Sequence, residues 1–171
     1  AARINVVDSA FYQTMTSALP AQNGTLKITG PTTQIGYHAF AGNTQLQSVS
    51  VDNSGSTGVN ILKHAFEGCF RRAVAGTVTL TGNLRSIGDS AFYAPTNLNT
   101  VTIDNTAGSG NLTIGERAFM NGFRYDANGT INISGKVSSI GTSAFYAPTN
   151  LYSLTINNTS ATSLTIGTGA F

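Results

Sequence analysis

The chain has 171 residues, a formal net charge of +2 and charged side chains at only 9% of positions, against about 25% in ordinary soluble domains. That balance gives no basis for a nucleic-acid surface; Arg71-Arg72 is the longest basic cluster and reads as a solvated loop. The single cysteine, Cys69, excludes an internal disulfide, no stretch is apolar enough to span a membrane as a helix, and no signal peptide is visible.

An Ala-Phe dipeptide recurs at Ala10-Phe11, Ala39-Phe40, Ala65-Phe66, Ala91-Phe92, Ala118-Phe119, Ala144-Phe145 and Ala170-Phe171, at intervals of 29, 26, 26, 27, 26 and 26 residues. A fixed period in this range marks a solenoid, in which one unit stacks on copies of itself. In chain order, the first coil begins INVVDSAF at Ile4. The spacing of Phe11, Met15 and Leu19 there predicts a short helix before a strand, GTLKITG, at Gly24–Gly30.

QIGYHAFAGNTQLQSVSVDN follows from Gln34 to Asn53, then VNILKHAF from Val59, leading to the strand GTVTLTG at Gly76–Gly82. SIGDSAFYAPTNLNTVTIDN occupies Ser86 to Asn105, and LTIGERAF from Leu112 leads to GTINISG at Gly129–Gly135. SIGTSAFYAPTNLYSLTINN runs from Ser139 to Asn158, and LTIGTGAF starts a last coil at Leu164. Two kinds of coil therefore alternate, and the full sequence period is a pair of them.

Each coil follows one physical logic. In Val101-Thr102-Ile103 the apolar residues face one side and Thr102 the other, as in a half-buried strand. Strands that recur once per coil in one direction must pair in parallel, ~4.8 Å apart. Segments such as Ser86-Ile87-Gly88 form an opposite wall, with the aliphatic residues and the Phe of each Ala-Phe between. Ser9, Ser90 and Ser143 precede Ala-Phe and are expected to cap a single helical turn, which Pro95 and Pro148 would stop. Stacked Phe rings ~5 Å apart would add aromatic contact to burial. Cys69, beside Phe70, reads as a small core residue and not as a nucleophile.

The pattern I-G-x-x-A-F-x-x-x-x-x-L-x-x-[VL]-x-[VI] is carried by Ile35-Gly36, Ala39-Phe40, Leu46, Val49 and Val51. It returns at Ile87-Gly88, Ala91-Phe92, Leu98, Val101 and Ile103, and at Ile140-Gly141, Ala144-Phe145, Leu151, Leu154 and Ile156. It resembles the BspA-type leucine-rich repeat over essentially the whole chain, although the second kind of coil lacks the leucine six residues after Phe. The resemblance implies a mostly β, right-handed solenoid of six to seven turns, taken as a single array over residues 1–171. It implies a parallel sheet on the concave face, with short helical turns or extended segments on the other side. It also implies an exported protein of the bacterial cell surface. The function it implies is adhesion: non-enzymatic binding of a host or microbial surface protein or glycan.

The strand pattern exposes one column formed by Lys27, Ser50, Thr79, Thr102, Asn132 and Thr155, and a second formed by Thr29, Asp52, Thr81, Asp104, Ser134 and Asn157. Lys27, Ser50, Asp52, Thr79, Thr102, Asp104, Asn132 and Thr155 are the candidate partner-binding residues, although Thr and Ser also suit exposed strand positions for structural reasons. Asp52 and Asp104 fall roughly 10 Å apart, near the separation used by inverting glycosidases. Their third equivalent is Asn157, and Asn53, Asn105 and Asn158 follow the three, which favours turns over catalysis or a calcium site.

His38 and His64 share a register on adjacent coils and two imidazoles there could share a metal ion, but no third ligand is apparent in the sequence pattern. Tyr93, Tyr125 and Tyr146 lie on loops beside Phe and suit either an aromatic anchor for a partner or a cover for the core corner. No nucleophile elbow, phosphate loop or zinc-spaced cluster is readable, so no enzyme, metal or cofactor is expected. The alternatives to a binding module are a structural stalk and, third, a β-helical enzyme acting on polysaccharide. An open solenoid exposes an apolar cross-section and strand edges, and neither end carries a polar cap; further repeats, another domain or a partner chain are expected to continue or cover the array.

Overall fold

A computed structural model of the chain describes residues 3–13, 24–53, 55, 57–125, 128–160 and 163–171. It forms a parallel-strand β-solenoid of about six turns with two sheets. One sheet contains β2 (Gly24–Thr29), β4 (Leu46–Asn53), β6 (Gly76–Gly82), β8 (Leu98–Asn105), β10 (Gly129–Gly135) and β12 (Leu151–Asn158), in that spatial order. The other contains β1 (Ile4–Val6), β3 (Thr32–Ile35), β5 (Val59–Ile61), β7 (Leu84–Ile87), β9 (Leu112–Ile114), β11 (Val137–Ile140) and β13 (Thr165–Ile166), again in chain order. Among the described residues every strand pairing is parallel and joins successive coils. The eight-residue strands β4, β8 and β12 belong to the first kind of coil, and the shorter β2, β6 and β10 to the second.

The core lies between the sheets because both are rich in β-branched residues at every second position. Val101 and Ile103 of β8, Val78 and Leu80 of β6, and Ile87 of β7 are buried against one another. Cys69 is buried with them; removal from water pushes its thiol up to about 12, so it packs as a hydrophobe.

The Ala-Phe corner forms a third wall. The seven Phe rings from Phe11 to Phe171 make one column, each nearly parallel to the next, with Phe66–Phe92 centroids 4.7 Å apart and Phe119–Phe145 centroids 4.9 Å apart. The Ala residues leave room for this approach: Ala39, Ala65, Ala91, Ala118 and Ala144 are fully buried. The I-G glycine does the same one step earlier, since a Cβ at Gly88 would come within 2.7 Å of the Lys63 amide nitrogen in the preceding coil. Leu62 occupies the equivalent place in one coil and keeps the same amide bond, to the Ile35 carbonyl.

The expected helical turn is not there: no helix occurs among the described residues. The residue before each Ala-Phe is instead left-handed, with φ of 54° at Ser9, 52° at His38, 59° at His64, 54° at Ser90, 54° at Arg117, 54° at Ser143 and 59° at Gly169. Two residues after Phe the backbone turns left-handed again, at Gln13, Gly42, Gly68, Ala94, Asn121 and Ala147. These reversals aim the corner amides along the solenoid axis. Ser90, Phe92 and Ala94 donate to the carbonyls of Glu116, Ala118 and Met120 in the next coil, at 2.8, 2.7 and 2.9 Å. A Ser cap satisfies helix-end amides locally; here the next coil satisfies them, so the serines cap nothing. The helix expected through Met15 and Leu19 lies outside the described residues.

Buried asparagines bind the two sheets at the opposite corner. Asn105 Oδ1 accepts the Leu84 amide at 2.9 Å, while its Nδ2 donates to Gly110 O and Lys136 O at 3.0 and 2.9 Å. Asn53 makes the matching bonds to the Thr32 amide and to Thr57 O and Asn83 O. Asn158 accepts the Val137 amide at 3.0 Å. Asn53 and Asn158 also cap the turns that follow them, accepting the Gly55 and Ser160 amides at 3.2 and 3.1 Å.

Candidate functional site

The outward face of the six-stranded sheet is ruled into straight columns. Lys27 pairs with Ser50, Ser50 with Thr79, Thr79 with Thr102, Thr102 with Asn132 and Asn132 with Thr155. Thr29, Asp52, Thr81, Asp104, Ser134 and Asn157 align in the same way. A third column, missing from the sequence reading, lies one step earlier: Thr25, Ser48, Thr77, Thr100, Thr130 and Ser153, a hydroxyl at all six places. The signal for it was the Gly-Thr that opens GTLKITG, GTVTLTG and GTINISG.

Lys27, Asp52, Asn132 and Thr155 are exposed, whereas Ser50, Thr79, Thr102 and Asp104 are half-buried between neighbouring strands. The face spans ~24 Å across six strands at ~4.8 Å each. Its polar groups partly serve one another: the Thr81 hydroxyl lies 3.4 Å from Asp52 Oδ1, and that of Thr130 lies 3.4 Å from Thr100. None of the three columns holds an aromatic side chain.

Asp52 and Asp104 stand on strands separated by Thr81. The Asp104 carboxylate is held below the usual range, first by the Thr106 amide 2.9 Å from Oδ1, then by the Thr106 and Ser134 hydroxyls, against an opposing effect of burial. A glycosidase general acid needs a raised pKa, so Asp104 is arranged for a turn and not for that role.

A second constellation lies at the Ala-Phe corner. His38 and His64 do sit side by side on adjacent coils, ring centroids 5.2 Å apart. The third group absent from the sequence reading is Glu67: its Oε2 lies 3.4 Å from His38 Nε2 and 3.1 Å from His64 Nδ1. Comparing equivalent columns across coils misses it, because Glu67 comes from within the coil of His64, three residues later. Among the described residues this is the only group of three or more His, Cys, Asp or Glu side chains close enough to share an ion. Burial holds the His64 imidazole below its ordinary pKa, with Glu67 opposing and His38 and Lys63 adding to the shift.

Tyr37 stacks on His38 with centroids 4.0 Å apart. Two open depressions, of about 450 and 420 Å³, flank Glu67, and Tyr93 lines both. Tyr93 is thus a half-buried wall of the corner, whereas Tyr125 and Tyr146 are exposed, with the Arg124 guanidinium 5.9 Å from the centre of the Tyr125 ring.

The family model for the BspA type leucine rich repeat region matches residues 5–125 and 66–171, in six copies. Comparison with curated proteins and with solved structures gives no match.

Proposed function

The chain belongs to the BspA-type leucine-rich repeat family, and on that premise we propose that it is a non-enzymatic adhesive module of an exported bacterial surface protein. Its partner is a host or microbial surface protein or glycan, and the contact is the outward face of the six-stranded sheet. One observation carries this reading: three in-register columns of small polar side chains, six strands long, on a backbone whose every neighbour is hydrogen-bonded. Such a face is rigid before binding, so little ordering cost opposes association. Its hydroxyls, amides and sparse charges match the hydrogen-bonding chemistry of glycans or of polar protein surfaces. Lys27, Ser50, Asp52, Thr79, Thr102, Asp104, Asn132 and Thr155 are the residues proposed to touch the partner.

The absence of an aromatic anchor from the three columns favours a second reading, a spacer that holds other segments away from the cell, since binding energy concentrates in Trp, Tyr and Arg. One experiment separates the two. The tag-free protein is tested against matrix proteins, mucin-type glycans and bacterial cells, beside a folded variant carrying Thr79→Arg and Thr102→Arg. Binding at micromolar affinity or better that the variant loses supports the adhesive face. Failure to bind across the panel, with the β-sheet signal intact, removes it and leaves the spacer.

A further inference from the structure

We propose that His38 Nε2, His64 Nδ1 and Glu67 Oε2 bind one Zn2+ ion that clips two successive coils together. The fold delivers these groups by regular means. His38 and His64 occupy the same left-handed corner position, with φ of 52° and 59°, so their side chains leave the backbone in the same way on coils one hydrogen-bonded step apart. The Gly42 amide donates to the Glu67 carbonyl at 2.8 Å, which pins the Glu67 backbone against the coil of His38. Tyr37 stacked on His38 fixes that ring and sits edge-on to His64 at 5.8 Å.

The distances suit the ion. Two donors at ~2.05 Å from a tetrahedral Zn2+ stand about 3.3 Å apart; the contacts to Glu67 Oε2 are 3.4 and 3.1 Å. One ligand atom from each of the three residues lies within 4.8 Å of the other two. Two imidazoles and one carboxylate select zinc over calcium or magnesium, which take oxygen ligands. The fourth position is left to water, and the side chains, 29%, 22% and 37% exposed, leave a path for the ion.

A plain His–carboxylate ion pair accounts for less. His64 Nδ1 is buried and has no hydrogen-bond partner, although Glu67 Oε2 is 3.1 Å away, because the approach lies off the hydrogen-bonding direction. A lone pair shared with a metal satisfies that nitrogen. The surrounding charges are mixed: Lys63, Asp89, Glu116 and Arg117 line a depression with His64, Arg117 is paired to Glu116 at 2.7 Å, and Arg71 lines another depression with Glu67.

The test is calorimetric titration of tag-free, chelator-treated protein with ZnCl2, with CaCl2 as the comparison. One equivalent of Zn2+ binds with micromolar or tighter affinity and raises the melting temperature by several degrees, and calcium does neither. Co2+ in its place gives the strong visible absorption of a tetrahedral site. Glu67→Gln and His64→Ala each weaken Zn2+ binding at least tenfold while the far-ultraviolet circular dichroism stays that of the parent. If His64→Ala does not fold, Glu67→Gln and His38→Ala carry the same expectation. Absence of stoichiometric binding, or binding that these folded variants retain, overturns the proposal.

Discussion

Phe92 donates its amide hydrogen to the carbonyl of Ala118, 2.7 Å away in the next coil, while its ring stacks on Phe119 with centroids 4.8 Å apart. One residue thus joins two coils through backbone and side chain together, and the same pair of contacts repeats along the corner. The array is held by nearest-neighbour interfaces, so the cost of breaking one depends on whether coils lie on both sides. Phe92→Ala removes a fully buried ring with stacked neighbours on both faces. It is expected to lower unfolding free energy by about 3–5 kcal/mol. In a protein of these 171 residues, Phe171→Ala, with a single stacked neighbour and a half-buried ring, should cost well under half of that. Urea melts of the two variants decide; equal losses would contradict a nearest-neighbour array.

Asn105 is fully buried and makes three bonds, to the Leu84 amide and to the Gly110 and Lys136 carbonyls, the last of which also accepts the Leu112 amide at 2.8 Å. Asn105→Ala leaves the Leu84 amide and the Gly110 carbonyl without that partner, while the Lys136 carbonyl keeps the Leu112 amide, at about 1–3 kcal/mol for each orphaned group that water cannot reach. A loss of at least about 2 kcal/mol in chemical denaturation is expected. A loss below about 0.5 kcal/mol would mean that the asparagine only fills space.

The legible parts of this fold were those set by local alternation. Val101 and Ile103 point inward and Thr102 outward because strand side chains have a period of two, and that alone yields both outward columns in the correct register. The corner was less legible. Ser90 before Ala91 looks like a helix cap because serine does cap helices, yet its amide finds the Glu116 carbonyl 26 residues away. A left-handed backbone at a non-glycine residue carries no short-range signature; tertiary contacts impose it. Glu67 was hidden for a related reason: His38 and Glu67 meet only because two coils stack, on a diagonal between columns that the repeat period does not mark.

Arg117 holds φ at 54°, a conformation that costs non-glycine residues roughly 1 kcal/mol or more. The final coil uses Gly169 at the equivalent place, with φ of 59°. Arg117→Gly gives up only an exposed ion pair with Glu116 and is expected to leave stability unchanged or raise it by up to about 1 kcal/mol, the gain being trimmed by glycine's larger unfolded-state entropy. Arg117→Val puts a β-branched side chain into the same strained conformation and is expected to lose about 1–2 kcal/mol. Thermal melts with the order Gly above Val support a corner defined by its backbone angles; the reverse order would show that side-chain contacts define it.

Asp104 carries the acid-side expectation. Its carboxyl is held below the usual range chiefly by the Thr106 amide, so the folded state favours the ionised form more than the unfolded chain does. A carboxyl depressed in the folded state contributes stability above its unfolded value, about 3.9, and loses it as pH falls through the lower folded value. Asp104→Asn keeps the shape and the acceptor but removes the charge, so it mimics the protonated form. The parent should therefore melt above Asp104→Asn near pH 6, and the gap should close as pH drops below about 4. The effect is small, because the carboxylate is only half-buried and solvent screens it. Melting curves of both proteins across that range read the difference directly, and a carboxyl titration by nuclear magnetic resonance gives the midpoint. A gap that stays constant down to about pH 2.5 would mean that the carboxylate's charge contributes nothing to the fold.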